Sequence, residues 1–234
     1  MQASIQTPQA KARHALPTAT PAGPATPEPL DLLEQFGATL RFGRDHEIHA
    51  EGDAAEFCYR VVSGCVRTVR LLEDGRRQVG EFLLAGEVFG LDELDTHSFA
   101  AETVTETVLR RYPRRMVEAL AESRPALARR LRQLALEHLR VTQERTLLLG
   151  RKTATERLAS FVLEFDRRMP ASGRGLLDLP MSRTDIADHL GLTVETVCRV
   201  LAALKREGTI QVSRTGLQLL DRTTLLDLAC ETRH

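Results

Sequence analysis

The stretch MSRTDIADHLGLTVETVCRVLAALKREGTI, residues 181–210, decides the fold of the C-terminal part of this 234-residue chain. Ser182 and Asp185 predict the cap of a short helix, and Gly191 predicts the turn that ends it. Thr193 predicts the cap of a second helix, which ends at Gly208. Two short helices joined by a tight turn that contains glycine are typical of a helix-turn-helix.

The second helix of this unit has its apolar residues on one face, which leaves the side chains of the opposite face free. In a helix-turn-helix the N-terminal part of the second helix enters the major groove of DNA. We therefore predict that the outward side chains of its first two turns read bases. They are Val194, Glu195, Cys198 and Arg199.

Glu195 and Arg199 suit base reading by their chemistry. An arginine fork donates two hydrogen bonds to guanine O6 and N7, and a glutamate accepts one from cytosine N4 or, in another geometry, from adenine N6. Because the two residues are four apart, they share a helix face and are expected to form an ion pair that holds the fork in place. A solvated surface pair is the alternative, but the helix-turn-helix context favours base reading.

Contacts to phosphates should supply much of the binding energy, so the affinity for DNA should fall steeply with salt. Cationic and hydroxyl side chains in and around the two helices are the candidates for these contacts. They are Arg183, Thr184, Thr193, Thr196, Lys205 and Arg214.

The sequence on either side predicts the remainder of a winged helix. TIQVSRTGLQLL alternates like a hairpin with Gly216 at its turn, and RTTLLDLACE predicts a last short helix. Upstream, Thr153 and Glu156 have the spacing of a capping box for the helix in KTATERLASFVLEF. We therefore assign residues 151–234 to a winged-helix domain.

A long helix precedes this domain. Residues 123–149 are interrupted only by Pro125, which a first helical turn accepts, and Ser123 is a suitable N-cap. Apolar positions recur at alternating steps of four and three, which is the pattern of a two-stranded coiled coil. We therefore assign residues 114–150 to a dimerisation helix, the alternative being a helix packed on its own domain. The predicted dimer seam consists of Leu127, Leu131, Leu134, His138, Val141, Arg145 and Leu148.

Residues 30–113 have the pattern of a sensor-like β-domain. Short runs of alternating apolar and polar residues, such as FCYRVVSG, CVRTVRLL and RQVGEFLL, are separated by glycine turns. Asp74 and Gly75 predict a hairpin because they tolerate the positive φ of tight turns. Residues 1–29 are rich in Pro, Ala and Thr and predict a disordered tail. The chain is therefore expected to be an α+β protein.

The charges are balanced over the chain but not along it. The 32 Lys and Arg equal the 32 Asp and Glu, yet residues 31–113 carry a net charge of −7 and residues 114–150 one of +4. The basic part permits DNA binding without demonstrating it. There is no apolar run that could span a membrane and no export signal, so a cytoplasmic location is expected. No catalytic residue pair or phosphate-binding loop stands out, so we predict that the chain is not an enzyme.

Three segments carry a resemblance to a known family. They are SGCVRTVRLLEDGRRQVGEFLLAGEVFGLDEL in the β-domain, TATERLASFVL after the long helix and LPMSRTDIADHLGLTVETVCRVLAALKREG in the helix-turn-helix. Over about residues 36–230 the chain resembles the CRP/FNR superfamily of bacterial transcription regulators, and within it the FNR/FixK branch.

The resemblance implies an antiparallel β-roll of the cyclic-nucleotide-binding kind, a dimerisation helix and a C-terminal winged helix. It also implies a homodimer that binds double-stranded DNA at a palindrome of TTGA-like half-sites. Members of this branch contact RNA polymerase, and FixK-like members activate genes of microaerobic respiration, denitrification and nitrogen fixation.

Departures from the family pattern concern the sensory part. Relatives that bind cyclic nucleotides have Arg before the serine that here is Ser98, whereas this chain has His97, a poor partner for a phosphate. Oxygen-sensing relatives have a cluster of N-terminal cysteines, whereas the first cysteine here is Cys58. We therefore expect no cofactor and no metal. The alternative is an effector-gated regulator that binds a small ligand or a haem in the β-roll, with His49 or His97 as the axial ligand.

Cys198 stands where the branch usually has serine. A thiol near a helix N-terminus and beside Arg199 is more easily oxidised, and the resulting sulfinate or sulfonate would place negative charge against the DNA. Cys198 is therefore a candidate redox site, the alternative being a small contact residue that replaces serine. The other cysteines, at positions 58, 65 and 230, show no metal-binding spacing.

Overall fold

The computed structural model describes residues 29–91, 95–169, 176–213 and 216–229. The described part begins with the 3-10 helix Pro29–Phe36, which was not predicted. The predicted disordered tail lies outside the described residues, apart from Pro29.

The described residues between Ala38 and Pro113 form eight strands. They are β1 Ala38–Phe42, β2 Glu47–His49, β3 Phe57–Ser63, β4 Cys65–Leu71, β5 Arg77–Leu84, β6 Val88–Phe89, β7 Ala100–Thr103 and β8 Thr107–Pro113. One antiparallel sheet has the strand order β1-β8-β3-β6 and the other the order β2-β7-β4-β5. The predicted antiparallel β-roll is thereby confirmed.

The hairpin predicted at Asp74 and Gly75 joins β4 to β5. Gly75 has a φ of 81°, a conformation in which glycine is favoured, and the N–H of Leu72 donates to the carbonyl of Arg76 at 2.8 Å. Apolar side chains from both sheets fill the interior of the roll. They are Tyr59, Val61, Val66, Leu83, Phe89, Ala101 and Leu109.

Helices form most of the remaining described chain. They are α1 Arg114–Ser123, α2 Pro125–Arg151, α3 Ala154–Arg168, α4 Arg183–Leu190, α5 Val194–Arg206 and α6 Arg222–Leu228. Three short strands pair in the order β10-β11-β9 and form the predicted wing. These strands are β9 Leu176–Leu177, β10 Ile210–Val212 and β11 Leu217–Leu219.

Local capping signals fix the helices of the winged helix as predicted. Thr153 with Glu156, and Ser182 with Asp185, each form a capping box. Gly191 ends α4 in the left-handed region with a φ of 61°. Each signal acts within a few residues of the chain, so the sequence placed α4 and α5 correctly as a helix-turn-helix.

The long helix begins later than predicted, and Ser123 does not cap it. Ser123 is the last residue of α1, and its hydroxyl donates to the carbonyl of Leu120 at 3.1 Å. Arg124 separates the two helices with φ −129° and ψ 88°, because the residue before a proline avoids the helical region. The predicted helix over residues 114–150 is therefore two helices, α1 and α2.

Most of the predicted dimer seam on α2 packs against its own chain, whereas Val141 is 37% exposed. Leu127 is fully buried in a cluster with the 3-10 helix and the β-roll, and Leu148 packs against the winged-helix core. Between them, His138 lies 3.3 Å from the carboxylate of Glu81, and Arg145 donates to backbone carbonyls of β5 and α4. A heptad pattern thus shows that a face is buried without showing which partner buries it, and the assignment of these residues to a dimer seam stays a prediction.

The opposite face of α2 is exposed. Leu136, Leu139 and Leu147 are 59%, 52% and 65% exposed. Their spacing places the three side chains on one side of the helix. α2 therefore has an apolar face that the chain itself leaves uncovered.

The β-roll and the winged helix share one apolar core. Val79 and Phe82 of β5 belong to the same buried cluster as Phe161 of α3 and Leu190 of α4. The rings of Phe82 and Phe161 meet edge to face with centroids 6.3 Å apart. The winged helix is thus docked on the second sheet of the β-roll.

Candidate nucleic-acid interface

α5 presents outward most of the side chains that the sequence assigns to base reading. Its apolar face is buried against α3 and α4, with Val197 fully buried. On the outward face Glu195 and Arg199 are exposed and Cys198 is half-buried. Val194 packs in part against the apolar core, so it is less available than the other three.

Glu195 and Arg199 do not form the predicted ion pair in the described part of the chain. Nη2 of Arg199 lies 3.4 Å from Oγ1 of Thr196. The carboxylate of Glu195 turns back to the helix N-terminus, where hydrogen bonds from its own N–H and from the Thr193 hydroxyl lower its pKa. The prediction failed because the helix start offers Glu195 nearer donors than the guanidinium. Both side chains remain exposed and available to bases.

Arg183 reaches from the first residue of α4 onto the recognition face. Its Nη1 donates to Sγ of Cys198 at 3.2 Å. The sequence placed Arg183 only among the phosphate partners, whereas the structure brings it beside a predicted base-reading position. The contact sets a permanent positive charge next to the thiol.

The other candidate phosphate partners lie around α5. Thr184 and Lys205 are exposed. At the start of the helix, Oγ1 of Thr193 accepts a hydrogen bond from the N–H of Thr196 at 3.2 Å. Helix N-termini attract phosphates through their free N–H groups, so this end of α5 suits a backbone contact. Arg214 lies outside the described residues.

In the β-roll, His97 stands where the cyclic-nucleotide-binding pattern has arginine, and its ring is part of a stack of aromatic rings. His97 is 3% exposed and stacks on His49, with ring centroids 3.5 Å apart. Tyr59 and Phe89 extend the stack. Burial, and then the neighbouring His97, lower the pKa of His49 to about 4, so its imidazole is neutral at neutral pH. Neither imidazole ring provides the guanidinium fork with which an arginine binds a phosphate.

A polar network between the β-roll and α4 was not predicted. Asp185, which the sequence showed only as a cap residue, also accepts hydrogen bonds from Arg67 at 3.2 Å and from Arg77 at 2.6 Å. The available signal was the alternation of β4, which puts Arg67 on the same strand face as Cys65 and Val69. A charged residue in an apolar row requires a buried partner.

A β-roll, a long helix and a winged helix with an open recognition face define a DNA-binding transcription regulator, and the chain belongs to the CRP/FNR family. Two family models match it. The cyclic nucleotide-binding domain matches residues 39–124, and the Crp-like helix-turn-helix domain matches residues 156–228.

Within this family the chain is similar to regulators of nitrogen fixation. It is 44% identical over 201 residues to the nitrogen fixation regulation protein FixK of Azorhizobium caulinodans, which covers 84% of this chain and 81% of that protein. It is 47% identical over 173 residues to FixK of Rhizobium meliloti, with coverage of 74% and 77%. The structure of FixK2 from Bradyrhizobium japonicum matches with a TM-score of 0.79 at 41% identity, over 85% of this chain and 98% of that one.

These similarities confirm the predicted family, the FixK-like branch and the fold. They also confirm a transcription regulator rather than an enzyme, because the relatives regulate transcription. Within the described parts of the chain, no helix is both long and apolar enough to cross a membrane.

Proposed function

We propose that the chain is a FixK-like activator that works without an effector. As a homodimer it binds a palindrome of TTGA-like half-sites and brings RNA polymerase to genes of microaerobic respiration, denitrification and nitrogen fixation. The observation that carries this proposal is the recognition face of α5, where Glu195 and Arg199 are exposed and Arg183 adds a further cation beside Cys198. The identity to two nitrogen fixation regulation proteins supports the nitrogen-fixation part of this choice.

The homodimer forms through the exposed face of α2. Leu136, Leu139 and Leu147 would leave a large apolar area in water in the monomer, and such areas are typical of interaction sites. A two-fold axis along paired α2 helices would put the two α5 helices on one side of the dimer. A palindromic site requires this symmetry.

The buried His97 supports the effector-free form of the proposal, because its ring stacks on His49 and lacks the guanidinium fork with which an arginine at this position would bind a phosphate. One observation favours the effector-gated alternative. Nδ1 of His49 is buried and has no hydrogen-bond partner among the described residues, and a small ligand with a polar group could satisfy it.

Fluorescence anisotropy of the purified, reduced protein tests the proposal. The protein is titrated, with no ligand added, onto a duplex with two inverted TTGA-like half-sites and onto a scrambled duplex of equal length. Selective binding to the palindrome supports an effector-free regulator. Equal, weak binding to both duplexes would reject it and direct attention to a ligand in the β-roll.

A further inference from the structure

We propose that Arg77, together with Arg67 and Gln78, holds α4 in one orientation on the β-roll, and that this docking determines which spacing of half-sites the dimer accepts. The proposal rests on the proposed function, because spacing matters only for a dimer on a two-part site. It assigns positioning roles to residues of the β-roll that do not touch DNA.

The carboxylate of Asp185 joins the two domains. Its Oδ2 accepts hydrogen bonds from the N–H of Ser182 at 3.1 Å and from the Ser182 hydroxyl at 2.8 Å, which caps α4. Its Oδ1 faces the β-roll, where it accepts from Arg67 at 3.2 Å and from Arg77 at 2.6 Å. Asp185 is 3% exposed. The N-terminal end of α4 is therefore tied to β4 and β5 through one buried ion-pair cluster.

Arg67 is itself held from the side of the β-roll. Its Nε donates to Oε2 of Glu102 on β7 at 2.8 Å, and its Nη2 lies 3.5 Å from Oδ1 of Asp45. These contacts to the β-roll hold the guanidinium without any contribution from α4. A fixed charge loses little side-chain entropy when it binds its partner, so the docking is specific in geometry.

The C-terminal end of α4 is held as well. Nε of Arg77 donates to Oδ2 of Asp188 at 2.8 Å. The last carbonyls of a helix have no partner within the helix. Here the carbonyls of the last three residues of α4 accept from side chains of three other elements. The donors are Gln78 of β5 at 2.7 Å, Arg145 of α2 at 3.0 Å and Arg157 of α3 at 2.9 Å.

The ring of His189 completes the contact on its apolar side. It lies 5.2 Å from the ring of Phe82 on β5 and 5.7 Å from that of Phe161 on α3. Burial and the adjacent Arg145 lower the pKa of His189 to about 3, so the ring is neutral and suits this apolar contact. α4 is thus held by polar bonds at both ends and by ring contacts between them.

This arrangement connects the proposed dimer helix to the recognition helix by rigid contacts. Arg145 lies on α2, the helix that is proposed to form the dimer, and α5 follows α4 directly after the Gly191 turn. When α4 cannot move relative to α2, the two α5 helices of a dimer keep one separation and one relative rotation. Two winged helices that move independently would instead bind half-sites at several separations and relative rotations.

The dependence of affinity on the spacing between the half-sites measures this rigidity. One base pair added between the half-sites shifts them by about 3.4 Å and rotates them by roughly 34°, because B-DNA has about 10.5 base pairs per turn. A rigid dimer should then lose affinity. A dimer whose winged helices can reorient should tolerate the change.

The test compares Arg77→Gln with Arg76→Gln. The two arginines are adjacent, but the Arg76 side chain is 77% exposed and pairs with Asp74 in its own turn, whereas that of Arg77 is 28% exposed and reaches α4. The affinity of each protein is measured for the palindrome, for versions with one base pair more or less between the half-sites, and for an isolated half-site.

Wild type and Arg76→Gln are expected to lose about tenfold or more in affinity on altered spacers, whereas Arg77→Gln should lose less than about threefold. Affinity for the isolated half-site should be equal in all three. Unchanged spacer discrimination in Arg77→Gln would overturn the proposal, and so would an equal loss on every duplex. Asp188→Asn, which removes the ion pair of Arg77 with Asp188 and leaves that with Asp185, serves if Arg77→Gln unfolds.

The docking can also be judged without DNA. Hydrogen exchange of the α4 amides should be faster in Arg77→Gln than in Arg76→Gln, because the helix opens more often when one of its anchors is removed. If the wild-type protein failed to distinguish the palindrome from a scrambled duplex, the proposed function would fail. Equal exchange in the two variants would in that case overturn the docking role independently.

Discussion

At the scale of single residues, Arg199 is the side chain whose role is tested most directly. Arg199→Ala should weaken binding to the palindrome by about 1–3 kcal/mol per recognition site and relax base choice at one position of each half-site, because the alanine cannot donate to guanine. Binding to duplexes with every base at each half-site position measures the change. Arg76→Ala, distant from the recognition face, is the control. A variant with weaker binding but an unchanged base preference would contradict base reading.

Cys198 should make binding sensitive to oxidation. Hydrogen peroxide converts its thiol through a sulfenic acid to a sulfinate. This anion would form an ion pair with the Arg183 guanidinium, 3.2 Å away, and would repel the DNA. Cys58 and Cys65 are buried, which raises the pKa of each thiol to about 12 and keeps it protonated.

Binding by the wild-type protein should therefore fall several-fold after peroxide treatment, whereas Cys198→Ser should keep its affinity. Anisotropy before and after treatment, with mass spectrometry of the modified cysteine, measures both. Equal loss of binding in Cys198→Ser would show that another residue is responsible.

At the scale of elements, α2 shows what a heptad pattern predicts and what it does not. The heptad pattern identified the stripe from Leu127 to Leu148 as a buried face, and the chain itself covers most of it. The apolar residues that remain uncovered, Leu136, Leu139 and Leu147, gave a weaker pattern because Gln143 interrupts it. Caps and turns were predictable because they act within four residues, whereas the choice of a partner face depends on the whole fold.

A charge on the uncovered face of α2 should break the dimer. Leu136→Glu combined with Leu147→Glu puts two carboxylates into the proposed interface of each protomer, where they lose hydration without a partner. Sedimentation should show a monomer, and affinity for the palindrome should fall at least about tenfold towards that of a half-site. Thr142→Glu adds charge to another side of the same helix and should remain dimeric. A double variant that sediments as a dimer would place the interface elsewhere.

At the scale of the whole molecule, contacts between distant segments were out of reach of the sequence. Arg67 and Asp185 are 118 positions apart, and each has an adequate local explanation, one as a strand residue and the other as a helix cap. The sequence predicted both domains because each has its own periodicity and turns. It could not predict how the domains dock, because no local preference encodes a pair of side chains from two domains.

Two partly buried histidines should make the whole fold sensitive to acid. The pKa of His49 is lowered to about 4 and that of His189 to about 3, each first by burial. Because both values lie below the unfolded value near 6.5, the unfolded chain binds more protons in between, and stability falls as the pH drops through this window.

The free energy of unfolding should therefore decrease by about 1–2 kcal/mol for each histidine between about pH 7 and about pH 5. Urea unfolding at both pH values measures it. His49→Gln should reduce this dependence. Stability that rises as the pH falls would contradict the lowered pKa values of His49 and His189.

The uneven charge along the chain should appear in the salt dependence of DNA binding. The acidic β-roll adds no phosphate contacts, so the slope of log affinity against log salt counts the cations at the winged helices. Lys205 is exposed on α5, and each dimer has two copies of it. Lys205→Ala should therefore reduce the magnitude of the slope by about 2, and should weaken binding to the palindrome and to the scrambled duplex by similar factors.

Arg76→Ala in the β-roll should leave the slope unchanged, whereas Arg199→Ala should weaken binding mainly to the palindrome. An unchanged slope in Lys205→Ala would remove this residue from the phosphate contacts without affecting the base-reading role of Arg199.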